Sequence, residues 1–129
     1  MTIDLPYHQP CIEKEEINEV VETLKSGWLT TGPRTLKFEE AFSDYIGCRH
    51  AIGLNSCTAG LHLALVAKGF TANDEVITTT MTFPATANAI IHAGLRPVFV
   101  DIEIGTLNID VGQIEEKITP RTRAIIPVH

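Results

Sequence analysis

The chain has 129 residues, of which 44% are hydrophobic and 20% charged, and its formal net charge is −6. This length suits one ordinary domain rather than two, and the composition is that of a globular protein rather than a disordered one. The negative charge argues against sequence-independent binding to nucleic acids, because few basic side chains are available to neutralise phosphates.

The sequence also bears on the compartment. No apolar run is long enough to span a bilayer, and the first residues do not combine a basic start with an apolar core, so neither a membrane segment nor a signal peptide is expected. The three cysteines lack metal-ligand spacing, which favours reduced thiols and no metal site. They are Cys11, Cys48 and Cys57. We expect a cytoplasmic protein.

The first part of the chain predicts an arm and two helices. Residues 1–11 carry two prolines and no periodicity, which is typical of an extended arm. Two amphipathic helices follow, and Gly27 and Gly47 mark their ends. The loop between them surrounds the only tryptophan, Trp28, which suits contact with a ligand or partner and a plug over the core equally well.

From His50 the pattern changes to alternating short β-type runs and helical segments. We predict strands over 51–54, 76–79, 98–101 and 124–128, and helices over 58–68, 84–92 and 111–118. This rhythm indicates repeated βαβ units and a mainly parallel sheet. Ligands of such sheets bind beyond the carboxyl ends of the strands, where the turn 80–84 and Asp101 are predicted to lie.

The most informative stretch is 55–62, where a predicted buried strand turns at once into a helix that is apolar nearly all round. The first N–H groups of a helix lack partners, and together with the positive end of the helix dipole they form an anion site. The hydroxyl groups of Ser56 and Thr58 add donors, so one interpretation is a phosphate cradle. The alternative is an ordinary N-cap at a strand-to-helix junction.

Six segments taken together resemble the DegT/DnrJ/EryC1/StrS family of sugar aminotransferases, which use pyridoxal phosphate (PLP). They follow the family's order and spacing over nearly the whole chain, which corresponds to the N-terminal part of the family's length. The segments are 26–33, 55–65, 73–78, 81–88, 97–102 and 118–129.

The resemblance implies an α/β fold with a mainly parallel sheet and flanking helices, like the N-terminal part of a fold type I, aspartate aminotransferase-like large domain. Residues 1–47 would form an arm and two helices, and 48–129 an incomplete PLP-binding domain. The chain stops directly after a predicted core strand, so we expect it to be cut off after residue 129. The resemblance also implies a homodimer and a role in polysaccharide biosynthesis. The implied reaction transfers an amino group, commonly from glutamate, to a nucleotide-linked keto-sugar.

Carried over position by position, the resemblance assigns four cofactor-binding residues. Cys57, Thr58 and Ala59 fall where the family holds the cofactor phosphate, and Phe83 falls where an aromatic ring stacks on the pyridine ring. Cys57 stands where many members have glycine.

The resemblance assigns no catalytic residue to this chain. The family's Schiff-base lysine, and the aspartate that pairs with the pyridine nitrogen, match positions downstream of His129, and none of the five lysines here matches the motif. We therefore expect the chain alone to be inactive and its stable binding of PLP to be doubtful. Three alternatives stay open: a related sugar dehydratase with histidine in place of that lysine, an enzyme of another class with Cys57 as its nucleophile, and a non-catalytic truncated chain that binds or associates with a complementary one.

Overall fold

A computed structural model describes residue 6 and residues 8–129 of the chain. The chain divides into two compact units, Met1–Gly53 and Leu54–His129. The predicted arm over 1–11 lies partly outside the described residues, and its described part has no helix or strand. Among the helices described, none combines the length and the apolar composition that a bilayer crossing requires.

The first unit contains the two predicted helices. Helix α1 covers Lys14–Ser26 and helix α2 covers Pro33–Ile46. Each ends at a glycine in the left-handed region, Gly27 with φ 71° and Gly47 with φ 73°, a conformation that a side chain disfavours. The sequence prediction of these helices and of their ends is confirmed.

The apolar side chains of α1 and α2 are exposed. None of the described residues of this unit is buried. Phe38 and Phe42 pack against each other with ring centroids 5.9 Å apart, yet both remain exposed. The amphipathic pattern therefore predicted the helices correctly, but these residues do not form a closed core.

The second unit is a three-stranded sheet with helices on both faces. The strands are β1 at Glu75–Thr79, β2 at Arg96–Val100 and β3 at Thr122–Ile126, and their order is β2-β1-β3 with both pairs parallel. The helices are α3 at Cys57–Ala67, α4 at Ala85–His92 and α5 at Ile114–Lys117, the last preceded by a 3₁₀ turn at Val111–Gln113. The predicted α/β class with a mainly parallel sheet is confirmed.

The central strand β1 separates two apolar clusters. Successive side chains of a strand point to opposite faces, so Val76 and Ile77 enter different clusters. Val76 packs with residues of α3 and α4, Leu65 and Ile90, whereas Ile77 packs with Val100 and neighbours of the α5 region. All five residues of β1 are buried, as expected for the central strand of a parallel sheet.

The predicted strand over 51–54 is wrong. These residues form no strand, and Ile52 and Leu54 are exposed. The backbone N–H of Gly53 donates to the carboxylate of Glu39 at 2.7 Å instead of to another strand. A strand needs a neighbour to accept its backbone hydrogen bonds, and an apolar run by itself does not specify one.

The prediction of a buried helix over 58–68 is correct for the helix and wrong for its burial. Leu65 is the one buried residue of α3, while Leu63 and Val66 are about half exposed. Helix α3 packs against α4, so the apolar residues on its remaining faces meet no described neighbour that covers them. The sequence shows how apolar a helix is, but not how many sides are covered.

Candidate functional site

The start of α3 is an N-cap that leaves two donors free. Ser56 is the N-cap residue, and its Oγ accepts the backbone N–H of Ala59 at 3.2 Å. The N–H of Gly60 donates to the carbonyl oxygen of Ser56 at 3.2 Å. Among the residues that the structure describes, the N–H groups of Cys57 and Thr58 find no acceptor. The N-cap is therefore present, although no strand precedes it, and two donors remain for the predicted phosphate site.

These two donors are accessible. Cys57 and Thr58 are exposed, and Ala59 is partly buried. The described structure shows no partner for the Thr58 hydroxyl. Two N–H groups, a hydroxyl and the positive end of an eleven-residue helix are suited to an anion. A phosphate group is an anion that such a site can bind without a basic side chain.

The turn between β1 and α4 presents Phe83 to solvent. Its side chain is 78% exposed, which is unusual for a phenylalanine next to a buried strand. The carbonyl oxygen of Phe83 accepts the N–H of Thr86 at 3.0 Å, and Pro84 follows with φ −53°, as the first turn of a helix requires. The phenyl ring is therefore an exposed flat surface on a hydrogen-bonded turn.

Topology brings these two features to one edge of the sheet. Helix α4 leaves the carboxyl end of β1 and returns to the amino end of the parallel strand β2, so it starts at the carboxyl edge. Helix α3 packs against α4, and the short connection 68–74 joins its end to the amino end of β1. The starts of both helices thus lie at the carboxyl edge, where parallel sheets bind ligands.

Asp101 follows β2 at the same edge. Its Oδ1 accepts the N–H of Ile102 at 2.8 Å and the hydroxyl of Thr80 at 3.3 Å. The carboxylate therefore holds the turn after β2 and ties it to the turn after β1. This local role accounts for an acidic residue at a strand end.

Trp28 lies in the loop between α1 and α2 of the first unit. Its indole N–H donates to the carbonyl oxygen of Thr31 at 3.0 Å, and its ring lies so close to Gly32 that an added Cβ would be 2.1 Å from Nε1. The side chain is 56% exposed and lines a cleft of about 530 Å³ with its own loop and Arg34. No residue that the structure describes in this unit is buried, so Trp28 packs on its own loop rather than plugging a core.

In the second unit, the acids with shifted pKa values lie at the amino edge of the sheet, opposite the candidate site. The hydroxyl of Thr119 and the guanidinium groups of Arg121 and Arg96 hold the pKa of the buried Glu75 below its usual value. The N–H of Thr71 does the same for Asp74. These carboxylates join strands and do not face the candidate site. Neither acid was predicted from the sequence, although the adjacent pair Asp74-Glu75 at the start of a buried strand was a signal.

Comparisons with known proteins agree with the fold and the resemblance. The model of the DegT/DnrJ/EryC1/StrS aminotransferase family matches residues 10–129. The uncharacterized protein MJ1066 of Methanocaldococcus jannaschii is 63% identical over 125 residues, which are 97% of this chain and 32% of that protein. The spore coat polysaccharide biosynthesis protein SpsC of Bacillus subtilis is 57% identical over the same shares of both chains.

Solved structures give the same result. Spr1654 from Streptococcus pneumoniae, assigned as a sugar aminotransferase, superposes in its PMP form with a TM-score of 0.91 at 43% identity, over 95% of this chain and 31% of that one. The same protein has been solved in a PLP form. An Escherichia coli GDP-4-keto-6-deoxy-D-mannose-3-dehydratase with bound hydrated PLP superposes with a TM-score of 0.89 at 28% identity, over 98% of this chain and 34% of that one.

The present chain spans about a third of the length of these relatives. The family match covers nearly all of the chain, and the two curated relatives share more than half of their aligned residues with it. On this evidence the chain belongs to the DegT/DnrJ/EryC1/StrS aminotransferase family.

Proposed function

We propose that the carboxyl edge of the second unit binds the phosphate and the ring of PLP. The observation that carries this proposal is the pair of N–H groups at Cys57 and Thr58, which have no acceptor within residue 6 and residues 8–129 and which start α3 at the same edge as the exposed ring of Phe83. The residues present fit the cofactor, because the anion site and the flat apolar surface correspond to its two chemically different ends.

Each residue has a distinct role in this proposal. The N–H groups of Cys57 and Thr58 donate to the phosphate, and the Thr58 hydroxyl adds a third donor. Ala59 takes part if a phosphate oxygen replaces Ser56 Oγ as the acceptor of its N–H, which frees the Ser56 hydroxyl to donate as well. Phe83 supplies the stacking surface, whose dispersion and quadrupole interactions favour a flat heteroaromatic ring.

We extend the proposal to the whole protein of which these residues form the N-terminal part of the family fold. When bound, PLP supplies an electron sink for reactions at carbon atoms that bear an amino group. The names of SpsC and Spr1654 support aminotransfer to a sugar. The substrate would be a nucleotide-linked keto-sugar, the amino donor a compound such as glutamate, and the assembly a homo-oligomer. The three exposed free thiols support a reducing compartment such as the cytoplasm.

A related sugar dehydratase is the second candidate, because an enzyme of that kind with bound PLP superposes on 98% of this chain. The two candidates differ at the position that the family uses for its Schiff-base lysine. Sequencing the reading frame beyond residue 129 distinguishes them. A lysine in the family's motif supports aminotransfer, whereas a histidine there supports dehydration.

The binding site is tested by titrating the ¹⁵N-labelled chain with PLP and, separately, with inorganic phosphate. Both ligands are expected to shift the amide signals of Cys57, Thr58 and Ala59, and PLP alone is expected to shift the signals around Phe83. The variant Thr58→Val removes one hydrogen-bond donor and should lower the affinity for both ligands by roughly three- to ten-fold. Thr71→Val, which removes a hydroxyl at the opposite edge, is the matched control. Shifts confined to the first unit would contradict the proposal.

A further inference from the structure

The turn that carries Phe83 is closed by two hydrogen bonds to one residue. The hydroxyl groups of Thr82 and Thr86 lie 2.8 Å apart and share a hydrogen bond. The N–H of Thr86 donates to the carbonyl oxygen of Phe83 at 3.0 Å. Thr86 thus makes a side-chain hydrogen bond to the residue before Phe83 and a main-chain hydrogen bond to Phe83 itself.

The burial of these residues differs sharply. Thr86 is 5% exposed and lies in α4 beside the buried Ala89 and Ile90, whereas the Phe83 side chain is 78% exposed. A buried hydroxyl that loses its partner is costly, so the bond between the two threonines is retained in the folded state. The exposed ring is consequently attached to a backbone that the buried Thr86 holds in place.

A stacking surface works best when its orientation is set before the ligand arrives. No neighbouring side chains restrict the orientation of an exposed phenylalanine ring. Fixing that orientation during binding costs conformational entropy and so reduces affinity. The Thr82–Thr86 bond fixes the backbone on both sides of the ring, so less order remains to be imposed. Helix α4, in which Thr86 lies, also packs against α3, the helix that starts at the proposed phosphate site.

We propose that the Thr82–Thr86 hydroxyl pair is a positioning unit that holds Phe83 as a platform for the pyridine ring. This inference rests on the proposed PLP site. Neither hydroxyl is assigned a contact with the cofactor, and both act through Phe83. Loss of either hydroxyl should therefore weaken the binding of the pyridine ring. The binding of inorganic phosphate, which has no ring, should not change.

The experiment compares the chain with its Thr82→Val and Thr86→Val variants, each of which removes one hydroxyl at similar volume. The dissociation constants of PLP and of inorganic phosphate are measured for each. We expect the affinity for PLP to fall roughly three- to ten-fold, the range that an aromatic stacking contact contributes. The affinity for inorganic phosphate should not change. Thr82→Ser, which keeps the hydroxyl, should retain the original affinity for PLP.

A second measurement needs no ligand. Hydrogen exchange of the Thr86 amide should be roughly five-fold faster in Thr82→Val, because the turn that protects this amide opens more often. In the control Thr71→Val, which removes a hydroxyl bond to Asp74, the exchange of this amide should not change. Circular dichroism shows whether each variant keeps its helices.

The outcomes separate the two proposals. If the unsubstituted chain binds no PLP, the proposed function and the platform role are both overturned. If it binds PLP and the valine variants bind PLP equally well, only the platform role is overturned. A parallel loss of PLP and phosphate binding would also overturn it, because the threonines would then support the whole edge rather than Phe83.

Discussion

The hydroxyl of Thr119 donates to the buried carboxylate of Glu75 at 2.6 Å and ties the loop before β3 to the first residue of β1. Arg121 donates to the other oxygen of the same carboxylate at 3.2 Å, and Arg96 at the start of β2 lies 3.7 Å from it. One acidic side chain therefore links all three strands at the amino edge, opposite the proposed cofactor site.

This arrangement predicts a loss of stability in acid. The Thr119 hydroxyl bond, and then Arg121 and Arg96, hold the pKa of Glu75 below its ordinary value of 4.5. A lowered carboxyl pKa contributes stability that is fully present above the unfolded value and is lost as pH falls through the folded value. Glu75→Gln should lower the urea midpoint at pH 7. Below pH 4.5, the midpoint of this variant should fall less with decreasing pH than the midpoint of the unsubstituted chain. Glu116→Gln, a change at an exposed acid of α5, should alter neither.

A second prediction concerns Gly60 in α3. A Cβ at this position would lie 3.5 Å from Leu54 Cδ1, an ordinary van der Waals distance. Gly60→Ala should raise the free energy of unfolding by about 0.5–1 kcal/mol, because alanine loses less backbone entropy in a helix. Gly69→Ala should instead lower it by about 1 kcal/mol, because Gly69 has φ 67°. Urea denaturation followed by circular dichroism measures both, and a destabilised Gly60→Ala would show that α3 is more closely packed.

Ser56 allows the cap and the anion site to be separated. Aspartate is as good an N-cap as serine, so Ser56→Asp should keep the stability of α3, whereas Ser56→Ala should cost about 1 kcal/mol. The aspartate places a negative charge beside the free N–H groups of Cys57 and Thr58. The affinity for inorganic phosphate should then fall by roughly ten-fold, as measured by titration. Unchanged affinity in Ser56→Asp would place the phosphate elsewhere.

Gly32 is expected to control the position of Trp28. A Cβ at Gly32 would overlap the indole ring, with 2.1 Å to Nε1, so Gly32→Ala should displace the ring and break its bond to Thr31. The fluorescence maximum of the single tryptophan should shift to longer wavelength as the indole becomes more hydrated. Gly105→Ala, where no atom lies within 4 Å of the added Cβ, should leave the spectrum unchanged.

The chain alone is expected to hold PLP without a covalent bond. The family resemblance implies that none of its lysines is the Schiff-base lysine, so borohydride reduction of the PLP-loaded chain should leave no lysine stoichiometrically modified, as read by mass spectrometry. Dialysis should remove the cofactor. Modification of one specific lysine, such as Lys68 at the end of α3, would contradict this expectation and would identify an unforeseen attachment point.

The elements that the sequence predicted correctly are those specified by local rules. Gly27 and Gly47 end their helices because their backbones adopt φ values that side chains disfavour, and β1 is recognisable because its last four residues, Val76 to Thr79, are all β-branched. The failures depend on neighbours. Residues 51–54 have strand-like composition but no strand beside them, and the burial of α3 depends on what packs against it.

The candidate site shows the same division. The N-cap at the proposed anion site was predictable because Ser56 and the start of α3 are adjacent in sequence. The assignment of Phe83 came from the family resemblance, since an isolated phenylalanine does not indicate a stacking surface. The Thr82–Thr86 bond was not predicted, although a spacing of four residues across the start of a helix brings two side chains within reach.

The sheet order has a consequence for synthesis on the ribosome. The central strand β1 is translated first, and both strands that flank it are translated later. Until Ile126 leaves the exit tunnel, the side of β1 that pairs with β3 has no strand beside it, so the backbone hydrogen-bonding groups on that side of the most buried strand stay exposed.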